Sequence, residues 1–359
     1  MEELLHPGEE CDQARSDHLI HNPKSKIQNW EGPGALRGLL GGVDAGGTKV
    51  AVLVVEAAGN EYRVLSRTTV PTVLDSPEAT LSGIAGAVRQ AVEMAGAQVS
   101  EVRSVGVGVP GRVDPETGWV RKAVNLGWEE LPVGAELSAQ LGVPCFLEND
   151  VRLAALGVQR LTAGPPPRNM MYLSVGTGIA AGLILDGRVY RGAHGLAGEV
   201  GHMVVEPEGP ACRCRGHGCL EALVAGPAIA RLGEEAAKSS GDTLLRRLLP
   251  GAITAADVYQ AASEGDAAAE AIAREVGRYL ALALQQLIVA YDVEQIVIGG
   301  GVSRNGDAFL QPVLDELARL REGSALSSET VQPDKINLLP PGYEAGAWGA
   351  IMLAGNQIL

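Results

Sequence analysis

No run in this sequence approaches the ~20 consecutive apolar residues that a membrane helix needs. No secretory signal is visible either, because the N-terminus is polar and acidic; a cytoplasmic location is the expectation. Positive charge is in short supply, with 29 Lys and Arg against 43 Asp and Glu, a net charge of −14. Nucleic acid and anionic membrane are therefore not expected as partners, since either needs a basic face. A small phosphate ligand needs only local donors and stays open. Aromatic residues are scarce, at 4%. Cysteines number five, and three of them fall within eight residues. That clustering reads as metal ligation in a reducing compartment rather than a disulfide framework, with Cys11 and Cys145 as plain thiols.

What is present is a chain of 359 residues, 46% hydrophobic, long enough for two domains and a large core. Its 47 glycines suit many tight strand-to-helix turns. The cysteine cluster reads Cys212-x-Cys214-x4-Cys219, and a Gly-Glu-x-Gly-His run ends at His202, ten residues ahead of it. Thiolates and an imidazole are the ligands of closed tetrahedral zinc sites, so His202, Cys212, Cys214 and Cys219 form a candidate Cys₃His set. Glu199 and Glu221 stand beside it as acids the metal does not need, suited to gripping a polar ligand.

Residues 1–38 lack hydrophobic periodicity and read as a flexible extension, too short for a helix-turn-helix domain. An apolar strand over 39–43 then runs into Asp44-Ala-Gly46-Gly47-Thr48-Lys49, and a second over 50–55 returns. This is a β-hairpin. Its turn is either simply tight or a phosphate contact in which backbone N–H groups approach an anion, with Thr48 and Lys49 as added donors. Asp44 would repel a phosphate unless a divalent cation lay between them. A Walker loop is excluded, because no G-x4-G-K-[ST] precedes a helix. A strand over 63–71, a helix over 76–97 capped by Ser76, a strand over 102–109, a short strand before Asn125, a helix over 133–141, a strand over 144–147 and a helix over 151–161 follow. Asn149 and Asp150, between the last two, can be N-caps. They can also be a general base with its orienting partner, at the strand end where open α/β sheets bind ligands.

After a linker over 164–168 the opening theme repeats. A strand over 170–175, a Gly176-Thr177-Gly178 turn and a strand over 180–185 suggest two domains of one design facing each other. Helices are expected over 227–249, 254–263, 266–290, 307–320 and 344–354, with strands over 295–298 and 336–339. Gly299-Gly300-Gly301 lets a ligand lie against backbone, or is an ordinary glycine-rich turn.

Taken in order, Asp44-x-Gly-Gly-Thr, Glu148-Asn149-Asp150, Gly176-Thr177-Gly178, Gly198-Glu199-x-Gly-His202, the cysteine cluster and Gly299-Gly300-Gly301 resemble the ROK family of repressors, open reading frames and sugar kinases, from about residue 40 to the end. The resemblance implies a two-domain ribonuclease-H-like, actin/hexokinase-type α/β fold with a structural zinc loop. It implies a small domain over 39–168 plus 343–359 and a large one over 169–342, with ATP and Mg²⁺ in the cleft. It implies Asp150 as the base for a sugar 6-hydroxyl. Gly111, Asn125, Asn149, Glu199, His202 and Glu221 would hold the sugar. Asp44, Gly46, Gly47, Thr48 and Lys49 match the first phosphate motif, Gly176, Thr177 and Gly178 the second, and Gly299, Gly300 and Gly301 the adenosine motif. The zinc ligands match His202, Cys212, Cys214 and Cys219, and a homodimer or tetramer is implied. Two positions depart from the family pattern: Ala180 replaces a frequent glycine, and Arg215 stands where glycine usually follows the second cysteine. His217 is a competing imidazole expected at the surface.

The expected activity is ATP-dependent phosphorylation of glucose, since Val109-Pro110-Gly111-Arg112 and Asn125-Leu126-Gly127-Trp128 look like the glucokinase branch. An N-acetylglucosamine or N-acetylmannosamine kinase is the alternative. A sugar-responsive repressor is disfavoured by the short extension and by Asp150. A bare zinc-binding module would leave both hairpins without a purpose.

Overall fold

The computed structural model describes residues 37–356, apart from 60, 162–164 and 240. The expected extension, save its last two residues, and Cys11 lie outside the described residues. The extension's boundary moves: Arg37 and Gly38 already pair with Ala58 and Ala57, so the first strand starts two residues earlier than the apolar run indicates.

The first half is built on β1 (Arg37–Ala45), β2 (Lys49–Ala58), β3 (Glu61–Pro71), α1 (Pro77–Met94), β4 (Val102–Val109), β5 (Arg112–Asp114), β6 (Trp119–Ala123), β7 (Trp128–Leu131), α2 (Val133–Leu141), β8 (Cys145–Asn149) and α3 (Asp150–Gln159). Its main sheet has the order β3-β2-β1-β4-β8. The first three strands are antiparallel, while β4 and β8 run parallel to β1. The second half comprises β9 (Met170–Val175), β10 (Ile179–Leu185), β11 (Arg188–Val189), α4 (Leu220–Val224), α5 (Gly226–Ser239), α6 (Ala255–Ser263), α7 (Ala267–Tyr291), β12 (Gln295–Gly299), α8 (Asp307–Glu322), α9 (Ala325–Thr330) and β13 (Ile336–Leu338). Its sheet, β11-β10-β9-β12-β13, repeats the order and directions of the first. The two glycine hairpins thus open two sheets of one topology. Each places its turn at the same end as the carboxyl ends of the parallel strands, where open α/β sheets collect ligands.

Several helix ends fall elsewhere than the pattern predicts. α1 closes at Met94, because Gly96 takes a φ of +73° that ends the turn. The helix expected over 227–249 breaks after Ser239. Thr243 restarts the chain as a 3-10 turn over Leu244–Leu248, and the Asp266 carboxylate accepts the Leu244 N–H. The caps hold as expected: Ser76 accepts from Ala79, and Thr254 and Asp257 form a reciprocal capping box. The three-stranded sheet β5-β6-β7 and the short helix α9 were not expected as elements, beyond one short strand before Asn125.

The last helix, α10 (Ala345–Asn356), returns to the first half and is buried on nearly every face. It lies across β1 and β4 and against α3, while α3 also packs on β9 and β10. Leu40, Leu53, Trp348 and Ile351 share one cluster. Ala155, Val158, Met170, Tyr172 and Val297 share another that spans both halves. α3 and α10 touch backbone to backbone at glycines: a Cβ on Gly157 would overlap the Ala345 carbonyl, and one on Gly349 the Leu153 carbonyl. Neither obstacle is a flexible side chain, so neither can yield cheaply. Gly349→Ala is expected to lower stability by about 1–3 kcal/mol or more in urea unfolding; an unchanged midpoint would mean the two helices do not lie this close.

Candidate functional site

Asp44 is the last residue but one of β1, and the turn that follows the strand is closed by Gly46 N–H donating to the Lys49 carbonyl at 3.0 Å. Thr48 and Lys49 are exposed. The Asn125 carbonyl stands 2.8 Å from where a Cβ on Gly47 would be, so the loop between β6 and β7 meets this turn. The Asp44 carboxylate is pressed against Gly346 at the start of α10. Burial raises its pKa to about 7, reinforced by the nearby charges of Asp150 and Glu344 and opposed by Lys49.

Asp150 opens α3 at the carboxyl end of β8. Burial raises its pKa above the ordinary carboxylate value; its hydrogen bonds to backbone N–H groups oppose this, Glu199 adds to it and Arg152 subtracts. Asn149 is the N-cap, accepting from Val151 N at 3.1 Å and Arg152 N at 3.2 Å, while its Nδ2 donates to the Gly111 carbonyl at 3.1 Å. Asn149 therefore caps with its oxygen and ties down Gly111 with its amide nitrogen, and neither bond reaches the Asp150 carboxylate that it was expected to orient. Tyr172, from the second half, feels the charges of both Asp44 and Asp150, and burial first and these charges next push its phenol up to about 12.

The second hairpin turn is held from two sides. Gly226 at the start of α5 donates to the Gly176 carbonyl at 2.8 Å, and Gly301 N stands 3.6 Å from where a Cβ on Gly176 would be. Gly300 has a φ of +94° and no room for a side chain beside the Val175 carbonyl. Glu221 lies against this turn, accepting from Ile179 N at 3.1 Å. The structure thus brings Asp44, Asp150 and Glu199 together, and separately joins Gly176, Gly178, Gly301 and Glu221. A cleft of about 220 Å³ runs from Thr177 past Cys212, Arg213 and Glu221 to Arg231.

The ligand atoms of His202, Cys212, Cys214 and Cys219 all lie within 4.8 Å of one another. Cys214 Sγ and Cys219 Sγ are 3.6 Å apart, and Cys212 Sγ and His202 Nδ1 are 3.7 Å apart. Bond lengths of a tetrahedral zinc put two sulfurs ~3.8 Å apart and a sulfur and an imidazole nitrogen ~3.6 Å apart, so the set fits the ion. A small hairpin positions them: Cys212 N donates to Gly216 O at 2.8 Å and Arg215 N to Cys212 O at 2.9 Å. His217 is exposed, outside the four. Arg215 adopts a φ of +74°, the left-handed region that glycine occupies freely. The loop backbone therefore keeps its turn with a strained residue in it.

Sequence reasoning gave no role to Glu148, Arg152, Arg191, Tyr172 or Glu344. Glu148 is fully buried and ion-paired to both Arg152 and Arg191. Its i,i+4 spacing to Arg152 was a readable signal; the pairing with Arg191 was not.

A profile of the ROK family matches residues 40–357. The glucokinase of Halalkalibacterium halodurans is 33% identical over 316 residues, 86% of this chain and 93% of that protein. The crystal structure of a ROK hexokinase from Thermus thermophilus superposes with a TM-score of 0.72 at 32% identity, covering 89% of this chain and 99% of that one. A ROK family glucokinase from Streptomyces griseus, solved in complex with glucose and AMPPNP, gives 0.73 at 32% identity, covering 88% and 99%.

Relieving a left-handed residue recovers roughly 1–2 kcal/mol, and the freer unfolded chain of glycine returns ~0.4–1 kcal/mol of it. Arg215→Gly is therefore expected to raise the melting temperature slightly. A lower melting temperature would show that the Arg215 side chain itself supports the loop.

Proposed function

The chain belongs to the ROK family, and from that premise we propose that it is an ATP-dependent hexose kinase that phosphorylates glucose on its 6-hydroxyl. The observation that carries the reading is Asp150. It sits at the carboxyl end of a parallel strand, held by the first turn of a helix, with a pKa raised by burial and with Glu199 and Asp44 as its charged neighbours. A carboxylate so placed is poised to take a proton from a hydroxyl as the phosphorus–oxygen bond forms.

The other roles follow from position. Glu199, His202, Asn149, Asn125 and the Gly111 loop are assigned to the sugar, as is the Glu221 oxygen not committed to Ile179 N–H. The turns at Gly46, Gly47, Thr48 and Lys49 and at Gly176, Thr177 and Gly178 are assigned to phosphates, and Gly299–Gly301 to the adenosine. Asp44 among other acids suits a cation carried by the nucleotide, which would neutralise phosphate charge; Mg²⁺ is the natural choice. In-line phosphoryl transfer then asks the protein mainly for alignment, exclusion of water and proton acceptance. His202 is assigned two faces: Nδ1 toward a structural zinc shared with the three cysteines, and the opposite ring edge toward the sugar. The unit over 39–168 plus 343–359 and the unit over 169–342 are proposed as the two domains that close on the sugar to exclude water. Among the described residues no helix is long and apolar enough to cross a membrane.

Asp150→Asn is expected to bind glucose by calorimetry nearly as the wild type does and to lose ~10²–10⁴-fold in kcat. Near wild-type turnover would remove Asp150 from the base role. Because the base works deprotonated and its pKa is raised, kcat/KM should fall as pH drops through values above the ordinary aspartate range. A profile flat down into that range would contradict the assignment. Freshly purified protein should carry about one zinc per chain, and Cys214→Ala should lose it and unfold the loop. Wild-type protein free of zinc would rule out the ligand set.

A further inference from the structure

The segment from Arg191 to Ala197 leads directly into Gly198 and Glu199, and it belongs to the second half of the chain. It is fastened to the first half by charge. Glu148, the last residue but one of β8, is fully buried. Its Oε1 accepts from Asn149 N at 2.9 Å and from Arg152 Nη1 at 3.3 Å, and its Oε2 accepts from Arg191 Nε at 2.6 Å. Arg152, equally buried, passes the connection on: its Nη2 donates to the carbonyls of Gly195 at 2.6 Å and Ala197 at 3.3 Å. Two arginines around one carboxylate, three bonds to the segment and one to the Asn149 backbone make one connected network, in which Arg152 Nε is left without a partner. Its members flank Asn149 and Asp150 on one side and Glu199 on the other.

A buried network of this kind is weak evidence for stability, since taking its charges out of water offsets much of their attraction. It does fix geometry, because the planar guanidinium groups present their donors in a set direction. We propose that Glu148, Arg152 and Arg191 are positioning residues that clamp the Arg191–Ala197 segment onto the first turn of α3, and so set where Glu199 stands relative to Asp150 when the sugar is bound. The inference rests on the kinase reading above. It predicts a defect in sugar affinity rather than in nucleotide use, because none of the bonds touches either glycine turn.

Removing Arg152 takes away one of the two cations on buried Glu148 together with both bonds to the Gly195 and Ala197 carbonyls, a loss large enough to endanger folding itself. Arg191 is the better test, since its side chain is 42% exposed and Arg152 would still neutralise Glu148. In Arg191→Met the KM for glucose should rise about tenfold, the scale of one charge-assisted hydrogen bond, with the KM for ATP unchanged. Arg191→Lys, which keeps a point charge near Glu148, should recover part of the loss. Amide hydrogen exchange over 191–199 should speed up in Arg191→Met, a readout that needs no activity. Unchanged glucose KM in a fully active Arg191→Met overturns the positioning role, as does unchanged exchange, or a parallel rise in both KM values. A wild-type protein that turns over no glucose would instead overturn the kinase reading, and the sugar-positioning role with it, even if exchange over 191–199 responded as expected.

Discussion

Negative charge crowded into a place with little water is the constraint on which the rest depends. Asp44 lies one residue before the end of one strand, Asp150 follows the end of another, and Glu344 precedes the helix that packs against both strands' sheet. Burial and mutual repulsion push Asp44 to about 7, and burial pushes Asp150 upward. On the proposed kinase reading, acids held in this condition are met by a cation beside Asp44 and a hydroxyl proton beside Asp150. On the same reading, the glycine turns at Gly46–Gly47 and Gly176–Gly178 offer backbone N–H groups to the phosphates of the nucleotide.

The duplicated topology explains why that place exists. Two sheets of one strand order meet through α3 and α10, and both helices come close enough to need glycine at their crossing. α3 therefore does two things at once. Its N-terminus carries Asp150 and the Asn149 cap, and its flank packs on β9 and β10 of the other half. The ion-paired Glu148 and Arg152 extend this coupling to the segment before Glu199, so Asp150 and Glu199, the proposed base and sugar-side acid, are flanked by one buried network.

Much of this was legible in the sequence because the signals are local. The Asp44-Ala-Gly-Gly-Thr-Lys hairpin, the Gly-Thr-Gly hairpin and the helix caps at Ser76 and Thr254 are each set within a few residues, and the structure has each of them. The four metal-type ligands were readable because three of them lie within eight residues. Contacts made at long range were not readable. Glu148 meets Arg191 across 43 positions, and Glu221 meets Ile179 across 42. The strands of the β5-β6-β7 sheet are three to five residues long, too short to show an alternation. The break after Ser239 depends on Asp266 accepting from Leu244, a bond that no helical pattern encodes. Arg215 is a different case. The sequence showed a residue out of place, and its φ of +74° shows that the backbone kept the glycine turn.

The central claim is that this arrangement transfers a phosphoryl group to the 6-hydroxyl of glucose. The most direct test is phosphorus NMR of a reaction holding the full chain, glucose and ATP with Mg²⁺. The account predicts growth of glucose 6-phosphate with a matching release of ADP, and neither product when glucose is omitted. ADP release independent of sugar, or a reaction mixture with no phosphorylated glucose, would contradict it.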